Sequence, residues 1–257
     1  MKQKKFTIVG NWKMNPDTLE EAKKLFSAVS RRAAKNPRVT VAIAPPSPFI
    51  FALSGKKTDK KVHISAQDVS GEPRGAYTGS ASARELRSAG AEYVIIGHSE
   101  RRMAGDDDKI VGKKIAESLS AGLRVILCIG ERERDNHAHY LREVREQIIG
   151  ALSRQDKKKI QWITIAYEPV WEIGQSFDLA LAPALIHEMA IYIKKSAAEI
   201  FGKKQALRLS VLYGGSLNSE NAMAILRDAC VDGLLVGRQS LDPLAFGKII
   251  EYANNLS

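Results

Sequence analysis

The chain has 257 residues, of which 44% are hydrophobic, 7% aromatic and 26% charged, the balance of a globular protein long enough to bury a substantial core. Its 39 basic and 29 acidic residues give a net charge of +10, yet the basic tracts KQKK, KKTDKK, DKKKI and GKKQ are short and carry no interleaved aromatics that could stack bases. Two cysteines, Cys128 and Cys230, exclude a disulfide framework or a zinc ligand set, and no stretch approaches the roughly 18 apolar residues of a membrane helix.

The charge therefore reads as a lysine-rich surface, and neither nucleic acid nor membrane is expected as a partner. The four-residue apolar run in MKQKKFTIVGNWKMN is too short for a signal peptide. Sparse cysteine fits a reducing, cytoplasmic compartment.

In chain order, KFTIVG is strand-like and LEEAKKLFSAVSRRAAK has helical apolar spacing. VTVAIAPP is a strand stopped by prolines, and SPFIFALSG allows a short helix. VHISAQDV is followed, after a glycine-rich loop, by the helix SARELRSAG, closed by Gly90. YVIIGH precedes DKIVGKKIAESLSAG, and RVILCIG precedes HYLREVREQIIGAL. WITIAYE precedes APALIHEMAIYIKKSAAEIFG, LRLSVLYGG precedes SENAMAILRDAC, and DGLLVG precedes PLAFGKIIEYANN. The strands are nearly continuous apolar runs, the mark of a parallel sheet covered on both faces.

Eight strand–helix units in this length fit a single closed (β/α)8 barrel, the TIM barrel, as one domain over residues 1–257. An open doubly wound sheet is the alternative; it would more often carry GxGxxG after the first strand, where this chain has VGNWKMN.

In such a barrel, active residues lie at or just after the C-terminal ends of strands. The polar residues there are Asn11 and Lys13 after strand one, His98 and Glu100 after strand four, and Glu168, where Pro169 stops strand six. The small loops YGGS and VGRQS follow strands seven and eight, where backbone N–H groups commonly bind phosphate. Taken singly, Lys13 reads as a solvated lysine, His98 as a structural histidine, Glu168 as half of a rim ion pair, and Cys128 as small core. Their convergence on one face is what points to chemistry.

GNWKMN, YVIIGHSERR, CIGE, AYEPVW, YGGS and DGLLVG, in this order, resemble the triosephosphate isomerase family over essentially the whole chain. The resemblance implies an aldose–ketose isomerase of glycolysis and gluconeogenesis that interconverts dihydroxyacetone phosphate and D-glyceraldehyde 3-phosphate without a cofactor or metal. It implies Glu168 as the base, His98 as a neutral electrophile, Lys13 and Asn11 as groups binding the substrate oxygens, and Glu100 as support for Lys13. Backbone N–H groups at Gly174, Ser216, Gly237 and Arg238 would hold the phosphate. Pro169-Val170-Trp171 would begin a lid that excludes water. The loop Gly75–Gly79 would place Thr78 in the pocket of a second subunit, making a homodimer; a plain tight turn is the alternative.

This sequence departs from the family at Gln175-Ser176-Phe177, where Thr-Gly-Lys is usual, at Arg238, where a second glycine is usual, and at Glu172. Another phosphate-sugar enzyme on the same barrel would share the phosphate loops but not the whole motif set. A polyanion-binding protein would explain the charge and leave the strand-end residues unexplained.

Overall fold

The computed structural model describes residues 5–55, 62–172 and 181–257. Strands and helices alternate as β1 (Thr7–Asn11), α1 (Leu19–Ala34), β2 (Thr40–Ala44), α2 (Ile50–Ser54), β3 (Val62–Ala66), α3 (Ala83–Ser88), β4 (Tyr93–Ile96), α4 (Ser99–Met103) and α5 (Asp108–Ser120). They continue as β5 (Arg124–Ile129), α6 (His139–Leu152), β6 (Ile163–Tyr167), α7 (Pro183–Phe201), α8 (Lys203–Ala206), β7 (Ser210–Tyr213), α9 (Asn221–Asp228), β8 (Gly233–Val236) and α10 (Pro243–Asn255). Neighbours in chain order pair in parallel, and β8 returns to β1 with Thr7 opposite Gly233 and Gly10 opposite Val236. That last ladder closes the TIM barrel and excludes the open sheet.

Local chemistry starts the helices where the sequence marks them. Thr18 with Glu21, and Ser82 with Glu85, form reciprocal capping boxes at α1 and α3. Asp107 and Asp242 accept backbone N–H groups at the starts of α5 and α10. Some apolar runs overshoot their strands. Trp162 falls in a 3-10 turn, Lys157–Trp162, and Leu207 ends α8 instead of opening β7. The short α4 and α8 carry no periodic signal, because five and four residues are about one turn each.

Side chains alternate across the barrel wall. Val9, Ala42, Ile95, Ile126, Cys128, Ala166, Leu212 and Leu235 fill the inside. Ile8, Val41, Ile43, Ile163, Ile165 and Tyr167 belong to the larger core between sheet and helices. The same period puts Asn11, two residues beyond Val9, and Glu168, two beyond Ala166, on the inward side at the top of the barrel.

Two of the basic tracts, at Lys157–Lys159 and Lys203–Lys204, immediately precede β6 and β7, at the end of the barrel away from those residues. Residues 2–4 and 56–61, which carry most of the other two, lie outside the described residues. Among the described residues, no helix is long and apolar enough to cross a membrane.

Closure depends on Gly233. It sits at φ +152°, and a Cβ there would lie 1.8 Å from the Thr7 carbonyl oxygen. Gly233→Ala should therefore lower stability by more than about 3 kcal/mol, roughly 6 °C or more in Tm for a chain of this size. A melting curve within about 2 °C of wild type would show that the β1–β8 seam tolerates a side chain.

Candidate active site

β1 delivers Asn11 and Lys13. The side-chain carbonyl of Asn11 accepts the Lys13 N–H at 3.1 Å, and Lys13 adopts the left-handed conformation at φ 52°. Gln67, the first residue past β3, donates its amide to the Lys13 carbonyl at 2.8 Å and to the Ala44 carbonyl at 2.9 Å. This strained turn, held from two sides, aims the Lys13 ammonium at Glu100, 2.6 Å away. Burial alone would raise the Glu100 carboxyl, but its bond to the Lys13 ammonium holds it below its ordinary value.

After β4, the Glu100 N–H donates to His98 Nδ1 at 3.2 Å. An Nδ1 that accepts cannot carry a proton, so the proton of the neutral ring resides on Nε2. That Nε2 faces the Glu168 carboxylate at 3.6 Å. His98 and Glu168 are only 6% and 3% exposed, so both sit in a water-poor wall.

Glu168 is fixed through its main chain. Its N–H donates to the Ile129 carbonyl on β5 at 2.8 Å, and the Gly214 N–H donates to the neighbouring Tyr167 carbonyl at 2.8 Å. Among the described residues, its Oε2 has no hydrogen-bond partner. Burial, and then the adjacent Glu168 carboxylate, push the Cys128 thiol well up, so this cysteine stays protonated beneath the base.

Asn11, Lys13, His98, Glu168, Ser216, Gly237 and Arg238 all line one cleft of about 270 Å³ at the top of the barrel. Of the strand-end residues singled out in the sequence, four line this cleft, while Glu100 lies in a neighbouring cleft and meets the site through its bond to Lys13. Ser216 is buried in the β7 loop. Gly237 opens the 3-10 turn Arg238–Leu241 after β8, and its carbonyl accepts both the N–H and the hydroxyl of Ser240. Arg238 does not have positive φ, so a side chain there costs no backbone strain. Gly174, and with it Gln175, Ser176 and Phe177, falls within 173–180, outside the described residues. Thr78 is exposed between Gly75 and Gly79, both at positive φ, and does not line this cleft.

Two supporting residues escaped the sequence reading. Gln67 had a usable signal, as the first polar residue after an apolar strand. Glu131 had none beyond its place in CIGE; it is fully buried and accepts the Tyr167 hydroxyl at 2.8 Å and the Trp171 indole N–H at 3.1 Å. It thereby anchors the segment that follows Glu168, while burial raises its carboxyl above the ordinary value.

Proteins of known identity carry the same pattern. A sequence model of the triosephosphate isomerase family matches residues 6–253. Among similar proteins is a triosephosphate isomerase of Symbiobacterium thermophilum, 38% identical over 94% of each chain. Another, from Thermodesulfovibrio yellowstonii, is 38% identical over 97% of this chain and 99% of its own. A third, from Moorella thermoacetica, is 36% identical over 95% of this chain and 97% of its own. A match of this extent, laid over a closed barrel with Asn11, Lys13, His98 and Glu168 in one cleft, shows that the chain belongs to the triosephosphate isomerase family.

Proposed function

We propose a specific division of labour in the reaction of this family, the interconversion of dihydroxyacetone phosphate and D-glyceraldehyde 3-phosphate. Glu168 takes the proton from the carbon beside the substrate carbonyl and returns it to the neighbouring carbon. The observation that carries this reading is the facing pair of a buried carboxylate and the protonated Nε2 of a neutral imidazole, 3.6 Å apart, in a cleft that also holds Lys13. As charge builds on the two substrate oxygens, His98 donates from Nε2, and Lys13 and Asn11 supply a cation and an amide. Glu100 fixes the Lys13 ammonium. Burial of the base removes water that would otherwise weaken it.

The phosphate is held by main-chain N–H groups of Ser216, Gly237 and Arg238, on the small loops after β7 and β8. No cofactor enters this scheme. The whole chain acts as one domain in the cytoplasm, within glycolysis and gluconeogenesis. It works as a homodimer in which Thr78 of one protomer enters the site of its partner. In support, the exposed Met14 and Gly79 line a cleft that reaches Lys13, His98 and Glu100, open to a second copy.

Glu168→Gln keeps the shape of the side chain and removes its ability to accept a proton. In a coupled assay with glyceraldehyde 3-phosphate, kcat should fall on the order of 10²–10⁴-fold with KM little changed. A variant with near wild-type kcat removes Glu168 from the chemistry. Arg238→Gly tests the phosphate reading, because glycine keeps the N–H and loses the charge. The loss in kcat/KM should stay below about tenfold and fall mainly on KM. A side chain that bonded the phosphate directly would contribute about 1.5–3 kcal/mol, so a hundredfold loss in a well-folded variant would overturn the main-chain assignment.

A further inference from the structure

Glu172 is a fully buried charged group that the proposed chemistry leaves unused. It is 0% exposed and ends the single 3-10 turn, Val170–Glu172, that follows Glu168 and Pro169. Each oxygen of its carboxylate accepts a donor from another part of the chain. One oxygen accepts the Tyr213 hydroxyl from the end of β7, and the other accepts the Leu181 N–H ahead of α7. Its own carbonyl accepts the Ser216 hydroxyl at 2.8 Å. One residue is therefore tied to the last residue of β7, to the loop that follows it, and to the approach to α7.

The two glycines of YGGS show how closely this segment is seated. A Cβ on Gly214 would lie 2.9 Å from Glu168 Cγ, and one on Gly215 would lie 2.2 Å from Glu172 Oε2. The carboxylates of Glu168 and Glu172 thus rest on successive residues of the same loop, and that loop carries Ser216. A shift of the Glu172 anchor moves the base and the phosphate-side turn together.

We propose that Glu172 is a positioning residue for the isomerisation, holding the Glu168 segment and the Ser216 turn in register through its bonds to Tyr213 and Leu181. The inference rests on the reading of Glu168 as the base. A neutral small side chain at 172 could not accept the Tyr213 hydroxyl.

The ionisation state follows from the surroundings. Burial raises the Glu172 carboxyl above its ordinary 4.5; the Tyr213 hydroxyl and the Leu181 N–H oppose the rise, and the nearby Glu131 carboxylate adds to it. The titratable groups that face it are Tyr213 from β7, itself pushed far up by burial, and Glu131 from beyond β5. As pH falls through the raised value, one accepting oxygen gains a proton. Either Leu181 N–H then loses its acceptor or the Tyr213 bond must reverse. The folded state binds this proton more tightly than the unfolded chain, so protonation itself favours folding. Stability from this group is full below the ordinary value and is lost as pH rises through the raised one. The effect on activity runs the other way, because the ionised form is the one that accepts both donors.

Glu172→Gln and Tyr213→Phe, singly and together, test the assignment, each with kcat, KM, a pH profile and a melting curve. Glu172→Gln should lower kcat/KM at neutral pH roughly tenfold, spread over kcat and KM because base and phosphate turn both move. Its acid limb should lie at lower pH than that of the wild type. The double variant should lose little more than the worse single one, since both break the same bond. Two results overturn the proposal: kcat/KM and an acid limb equal to wild type beside a changed Tm, which is a purely structural role, or losses that add in the double variant. Glu168→Gln, assayed in parallel, separates this from the reading of the base: if that variant stays active the base assignment fails, whatever Glu172 does.

Discussion

The base of this site stands where it does because neighbours on either side of β6 have no Cβ. A methyl group on Gly130 would lie 1.8 Å from the Glu168 carbonyl, and one on Gly214 would press on Glu168 Cγ at 2.9 Å. With both positions bare, β5 and β7 approach closely enough for two main-chain bonds, Glu168 N–H to Ile129 and Gly214 N–H to Tyr167. Pro169 has no N–H to continue the β ladder, so the chain turns away directly after the carboxylate. Main-chain bonds on both flanks fix position more tightly than side-chain contacts could.

Around that fixed point, charge is unevenly distributed. Glu131, Glu168 and Glu172 are three carboxylates buried within five residues of β6 or facing it, and none has a lysine or arginine within ion-pairing distance among the described residues. Glu131 and Glu172 are held by neutral donors: tyrosine hydroxyls, an indole and a main-chain N–H group. Such carboxylates cost desolvation energy and keep their places only while their donors stay aligned. The cation, Lys13, lies across the cleft and is paired with Glu100 instead. This separation leaves the Glu168 carboxylate without a competing partner and the Lys13 ammonium in the opposite wall, an arrangement suited to a substrate that must lose a proton on one side while gaining negative charge on the other.

Much of this could be read from the sequence because strand ends and functional residues coincide in a barrel. The uninterrupted apolar runs specified parallel strands, and the points where those runs stop marked Asn11, Lys13, His98 and Glu168. Contacts between distant segments were not legible. Gln67 bonding Lys13, Glu131 bonding Trp171, and Glu172 bonding Tyr213 join residues 54, 40 and 41 positions apart, and no local pattern encodes such pairs. Glu172 reads as one polar residue in a loop; only the burial of its carboxylate against Gly215 and Tyr213 gives it weight. Arg238 reads as an intrusion into a glycine site, and its ordinary backbone angles remove that difficulty.

The central claim is that the location of the carboxylate, as much as its presence, makes the site work. Glu168→Asp tests it most directly, because it preserves the acid and withdraws it by one methylene from a main chain that cannot follow. The account predicts that kcat falls roughly a hundredfold or more, with KM within about threefold and Tm nearly unchanged. A variant that retained most of the wild-type kcat would show that the bare glycines and main-chain bonds around β6 do not set the geometry of catalysis.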